Sequence, residues 1–265
     1  MRVQGLMIAC ALGVAPPAWA QGPGGGAKPD GWQVQVGGGG LVTPDFRGSA
    51  DYRVRALPYV SVKFGDELEA SVQEGVSFAL VERNGFSAGP LARFRFGQEE
   101  DDNRALVGLG EVDPSLEAGG FLGYRRGPLS LRLTAGQDVI GGHGGGVTEL
   151  GAALTAPIMR TAAGPVLASA GPKMTFVTSR VNRAYFGVDG SQAAATGLPV
   201  FRPSGGLQAA GLNMMLIAPI APKLSVVGFV GFERLLGDAA DSPRVQQRGS
   251  RDQASGGIFI TYRLF

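Results

Sequence analysis

The sequence holds a single histidine, His143, set in Gly141-Gly142-His143-Gly144-Gly145-Gly146. An imidazole titrates near neutrality and, beside a serine and a carboxylate, could serve a hydrolase as its base. Catalysis needs that base fixed to within about half an ångström, and a run of glycines offers little to fix it. His143 is therefore expected to be a solvated loop residue, and no catalytic residue is assigned. One histidine and one cysteine, Cys10, also exclude a histidine-rich or cysteine-ligated metal site. Glu99-Glu100-Asp101-Asp102 offers hard oxygen ligands for calcium, but without the spaced ligands of a calcium loop. A solvated acidic loop is expected there, with no metal and no cofactor. The glycine runs at 37–40 and 141–146 lack the strand–GxxxxGK[ST]–helix setting of a phosphate cradle.

Three arginines point elsewhere. Arg93 and Arg95 alternate with Ala92, Phe94 and Phe96, and Arg132 sits between Leu131 and Leu133. Alternation with a period of two marks strands with one oily and one polar face. If the oily face meets lipid, Arg93, Arg95 and Arg132 line a polar lumen, which favours anions. Period alone does not separate lipid from a second sheet, so the connections must decide. Strands are expected at 33–41, 52–64, 67–73, 75–82, 86–96, 115–126, 129–138, 143–158, 165–178, 205–219, 223–234 and 254–265. Short turns such as Gly65-Asp66 and Ala221-Pro222 alternate with long polar loops at 42–51, 97–114, 179–204 and 235–253. That alternation is the pattern of an all-β antiparallel transmembrane β-barrel, here of twelve strands with ten as the alternative. Pro58, Pro90 and Pro172 fall inside strands, where a missing N–H implies bulges or breaks. The third and fourth strands are shorter than the roughly 9–11 residues that span a bilayer.

Composition and the chain ends agree with export and a β fold. Forty-four glycines suit strands and turns better than helices. The longest apolar run, Gly211 to Pro222, is too short for a membrane helix and is interrupted by Asn213 and Pro219. Residues 1–20 read as a signal peptide: Arg2, an apolar stretch from Leu6 to Val14, then Ala18-Trp19-Ala20, with cleavage between Ala20 and Gln21. Residues 21–31 form a flexible leader and 32–265 the barrel. Cys10 lies inside the signal, so the mature chain has no disulfide. Loss of Arg2 brings the net charge of +2 close to balance, which argues against a nucleic-acid partner. The chain ends on Phe265, as barrels recognised by the insertion machinery of the outer membrane commonly do. Arg263 shares the face of Phe265, however, whereas Ile258, Ile260 and Tyr262 form the other register.

The residues also resemble a known family, the outer-membrane MltA-interacting proteins, or MipA/OmpV family. The resemblance rests on Pro44-Asp45-Phe46-Arg47-Gly48-Ser49, Asp51-Tyr52, Leu57-Pro58, Leu106 to Gly110 and Glu117-Ala118-Gly119. Its most specific parts are Asn182-Arg183-Ala184-Tyr185-Phe186-Gly187-Val188 and Gly197-Leu198-Pro199-Val200-Phe201. Two departures stand out: Phe46 where tyrosine is expected, and an ending one residue longer than the family's Tyr-Arg-Phe. The resemblance implies a non-enzymatic scaffold in the outer membrane that joins a lytic transglycosylase to a penicillin-binding protein. Outer-membrane lipid, lipopolysaccharide and the barrel insertion machinery are further expected partners. A passive channel for small solutes is the alternative, and a lipid-modifying enzyme using His143 a third reading. For Asn182, Tyr185 and Phe186 two placements stand open: a loop that constricts the barrel or meets a partner, and an outer loop with its aromatics in the interfacial belt.

Overall fold

The structure, a computed structural model, describes residues 31–72 and 74–264. The expected signal peptide, its cleavage point at Ala20 and Gln21, the leader up to residue 30 and the terminal Phe265 lie outside the described residues. The strands are β1 (Trp32–Pro44), β2 (Tyr52–Phe64), β3 (Leu68–Ser71), β4 (Gly75–Phe78), β5 (Val81–Arg83), β6 (Phe86–Arg95), β7 (Ser115–Arg126), β8 (Leu129–Asp138), β9 (Gly146–Thr161), β10 (Gly164–Val177), β11 (Gly206–Ala221), β12 (Leu224–Leu235) and β13 (Asp252–Arg263). All neighbours pair antiparallel. β13 returns to β1 along a ladder from Gln35 opposite Arg263 to Val42 opposite Gly256. On the far side β4 meets β6 only through Val76 opposite Ala92 and Ser77 opposite Leu91.

β5 also pairs with β6, but one residue out of step, with Val81 opposite Ala88. β4 and β5 are therefore one stave broken at Ala79-Leu80, and the closed barrel has the twelve staves expected from the loop lengths. The break faces the stretch of β6 that carries Pro90, where one N–H is missing. Pro172 sits at a second interruption: the β9–β10 ladder runs to Ala170 opposite Leu154 and resumes at Lys173 opposite Gly151. Pro58 causes no bulge, pairing in register with Gly38. The hairpin of β3 and β4 is as short as expected, so only Ser61 to Phe64 of β2 find a partner there.

The outward residues are apolar. Val54, Leu122, Leu154, Leu212, Val230 and Ile258 are all more than half exposed, which in water would be a strong aggregation surface and in lipid is the wetted face. Aromatic residues sit at both ends of this band. Trp32 touches Phe64 at 5.0 Å and Phe86 touches Tyr124 at 4.5 Å at the short-turn end. Tyr52, Phe94, Phe176 and Phe232 lie toward the long-loop end. Amphipathic rings at two levels are what a membrane barrel needs at its two interfaces. The last strand resolves its ambiguous phase: Ile258, Ile260 and Tyr262 face out, while Phe259 and Thr261 are buried.

Many inward side chains pack against one another. Leu41, Tyr59, Met215, Val227, Phe229 and Phe259 make an apolar half, with the Phe229 and Phe259 rings stacked at 6.3 Å. Inward glycines let the staves draw close around it. A Cβ on Gly119 would overlap the carbonyl oxygen of Ala135, and one on Gly171 that of Ala152. Opposite the apolar half lies a charged one.

Candidate functional site

The charged half is built on four consecutive staves and β10. Strand alternation brings Arg93 and Arg95 of β6, Glu117 of β7, Thr134 and Arg132 of β8, Glu149 of β9 and Lys173 of β10 to the same face. Arg93 Nη1 bonds Glu149 Oε2 at 2.6 Å and Arg95 Nε bonds Glu117 Oε1 at 2.6 Å. Arg95 Nη2 and Lys173 Nζ converge on the other Glu149 oxygen at 3.5 and 3.0 Å. Arg93 crosses two strands to do this, and the rung of Gly119 opposite Gly136 between them has no side chain to block it. Arg132 behaves differently. Its guanidinium lies 4.4 Å over the Phe121 ring, and Nη2 reaches Ser77 Oγ at 3.3 Å.

His143 is not the solvated loop residue expected; its side chain is wholly buried. Asp138, at the end of β8, accepts from the N–H groups of Ile140, Gly141 and Gly144 at 3.1, 3.2 and 2.8 Å. That carboxylate folds the glycine tract into a tight turn, so glycines that look flexible become a fixed frame. The Gly145 N–H donates to His143 Nδ1 at 3.1 Å, which leaves Nε2 to donate toward Glu117 Oε1 at 3.2 Å. The signal missed was Asp138 itself, an acceptor placed just ahead of a glycine run.

Above these groups the long loops form a cap. The β10–β11 loop carries α1 (Ser179–Phe186) and α2 (Gly190–Thr196), and the β12–β13 loop carries α3 (Gly237–Asp241) and α4 (Pro243–Arg248). Phe186 is fully buried against Ala209, Leu235, Ala239 and Val245. Asn182 is buried too, donating to Ser204 O at 2.6 Å and accepting from Gln208 Nε2 at 2.7 Å. Tyr185 turns toward His143, ring to ring at 6.3 Å. Placement of Tyr185 and Phe186 in an interfacial belt is therefore corrected: both point into the cap. Val188 and Phe201 exchange backbone hydrogen bonds, and Val188 and Leu198 pack on Phe46, Leu106 and Leu109 from two other loops. Arg248 ties α4 to α2 by donating to Thr196 O at 2.6 Å.

The acidic run at 99–102 is partly structural rather than simply solvated. Arg53 bonds Asp45 at 2.6 Å and Asp102 at 2.8 Å, and Asn103 Nδ2 donates to Asp45 at 2.7 Å. Burial pushes the Asp45 carboxyl up, but the hydrogen bonds from Arg53 and Asn103 outweigh it and hold the pKa below the usual carboxylate value. A depressed pKa stabilises the folded loop above the unfolded value and loses that contribution as pH falls through the folded one. Amide protection in 45–51 and 99–106, corrected for the intrinsic pH dependence of exchange, is expected to hold from neutrality to about pH 4 and to fall only below that. Among the described residues, no three His, Cys, Asp or Glu side chains gather where a metal ion could sit.

Several solved outer-membrane proteins have similar shapes at low sequence identity. OprB of Pseudomonas putida aligns with 79% of this chain and 59% of its own at 10% identity and a TM-score of 0.38. The NanC porin aligns with 88% of this chain and 100% of its own at 9% identity and a TM-score of 0.41. OprD of Pseudomonas aeruginosa aligns with 89% and 65% at 11% identity and a TM-score of 0.36. This chain thus spans about three-fifths of the length of OprB. No curated protein sequence matches it. The sequence model of MltA-interacting protein MipA matches residues 36–264, the whole barrel but its first few residues. With a closed barrel, an apolar outer face and that match, the chain belongs to the outer-membrane family of MltA-interacting protein MipA.

Proposed function

We propose that this outer-membrane protein is a non-conducting, non-enzymatic scaffold of the MltA-interacting type, linking a murein hydrolase to a murein synthase at the periplasmic face. The observation that carries this reading is the closed interior. Water reaches less than a tenth of the surface of Tyr59, Leu91, Arg93, Glu117, Phe121, Phe229 and Phe259, and the cap packs over one mouth. A barrel so filled has its turns and loops left as working surfaces. The family's description supports a lytic transglycosylase as one partner.

The short-turn end, where a periplasmic partner would dock, is basic. Arg83, Arg125, Arg126, Arg160, Lys223 and Arg263 are exposed there, against Asp66, Glu67 and Glu82. Such a surface speeds and orients the approach of an acidic partner and loses its grip as salt rises. In planar bilayers the purified protein is expected to give no discrete conductance steps. From solubilised envelopes it is expected to capture a lytic transglycosylase or penicillin-binding protein, with capture weakened in R125E/R126E and at high salt. Steady conductance with no such capture would shift the assignment to a channel.

A further inference from the structure

We infer that the lumen wall between β4 and β9 is a binding site for a small oxyanion, held by the guanidinium groups of Arg93 and Arg132 and the hydroxyls of Ser77 and Thr134. The inference starts from charge. Among the described residues, the carboxylates in direct contact with Arg93, Arg95, Lys173 and Arg132 on this wall are Glu117 and Glu149. Asp138 is occupied by three loop amides and lies 3.8 Å from His143. Among the described residues no carboxylate touches Arg132. Glu74 and Glu69 act on it through space, and Glu69 is also bonded to Lys63 at 2.7 Å. A guanidinium drawn away from water with no carboxylate in contact favours a further acceptor.

Hydrogen bonding points to the same place. The Nε–H groups of Arg93 and Arg132 are both buried without an acceptor. Each guanidinium keeps a hydroxyl beside it: Arg132 Nη2 lies 3.3 Å from Ser77 Oγ, and Arg93 Nη2 lies 3.5 Å from Thr134 Oγ1. Thr134 and Arg132 stand two residues apart on the inward face of β8, so the two forks and two hydroxyls belong to one patch. Planar N–H forks match the oxygens of carboxylate and phosphate, and hydroxyls that now accept can rotate to donate. Phe121 beneath Arg132 holds the fork in place by its ring face. This site is independent of the scaffold proposal.

The test uses the full-length purified protein in detergent, with inorganic phosphate in one arm and succinate in the other, against chloride at equal ionic strength. Binding is read from the thermal midpoint and, for phosphate, from 31P line broadening. A saturable response to either anion is expected, and the arm that responds names the oxyanion class. Arg132→Gln is expected to abolish it while Arg126→Gln, on an exposed turn, leaves it intact. Ser77→Ala guards against misfolding of the arginine variant and is expected to weaken half-saturation by about tenfold, the loss for one hydrogen bond to a charged group. No response to either anion, or an unchanged response in both Arg132→Gln and Ser77→Ala, would overturn the site.

Discussion

Replacing Glu149 by glutamine is expected to destabilise the barrel by about 3–5 kcal/mol, the usual loss when one member of a buried ion-pair cluster is removed. Glu149 is a carboxylate that three cations share: Arg93 at 2.6 Å, Lys173 at 3.0 Å and Arg95 at 3.5 Å. Glutamine keeps the volume and one acceptor but not the charge, so the three cations keep Glu117 as the one carboxylate in direct contact among the described residues. The loss is measured as a lower denaturant midpoint for the folded band in detergent. Glu111→Gln, on an exposed loop, is the control and should shift the midpoint little. An unchanged midpoint in Glu149→Gln would mean that water already solvates the cluster.

Phe186→Ala should act on the cap and leave the wall standing. Phe186 is fully buried where two long loops meet the tops of β11 and β12, and truncating a buried phenylalanine typically removes about 3–5 kcal/mol. Spent on local opening, that loss corresponds to faster amide exchange in 179–205 and 236–251 by roughly two to four powers of ten. Protection in β9 and β10 should change far less. Bilayer recordings of the same variant test the closed reading further, since a loosened cap over a still-packed interior should not conduct. If steps appear, the cap alone was closing the barrel.

Much of the architecture was legible because the strand code is local. The alternation in 52–64, 115–126 and 129–138 gave those strands to the residue, and the strand pattern, checked by the alternation of short turns and long loops, gave the twelve staves. The start of β9 moved from 143 to 146 because Asp138 claims the amides of the glycine tract. The four short helices were not legible. Asp189 with Gln192 forms a capping box and Ser242 precedes Pro243 at a helix start, but segments of five to eight residues have too little propensity to stand alone. They persist because each packs an apolar side chain, Phe186, Ala193, Ala239 or Val245, against another loop. The inward placement of Tyr185 and the burial of His143 were hidden for the same reason. Both depend on contacts between residues far apart in sequence, which no local pattern encodes.

The hairpin of β3, β4 and β5 gives the barrel a built-in direction of failure. The chain ends are sewn together by a ladder running from Gln35 to Val42, whereas β4 holds β6 by Val76 and Ser77 alone. Under tension or partial denaturation the wall should part at that short seam while the terminal strands stay zipped. A cut there faces sideways into the bilayer, so the protein would come undone as a door does, along one vertical edge, and not like a tube losing its lid.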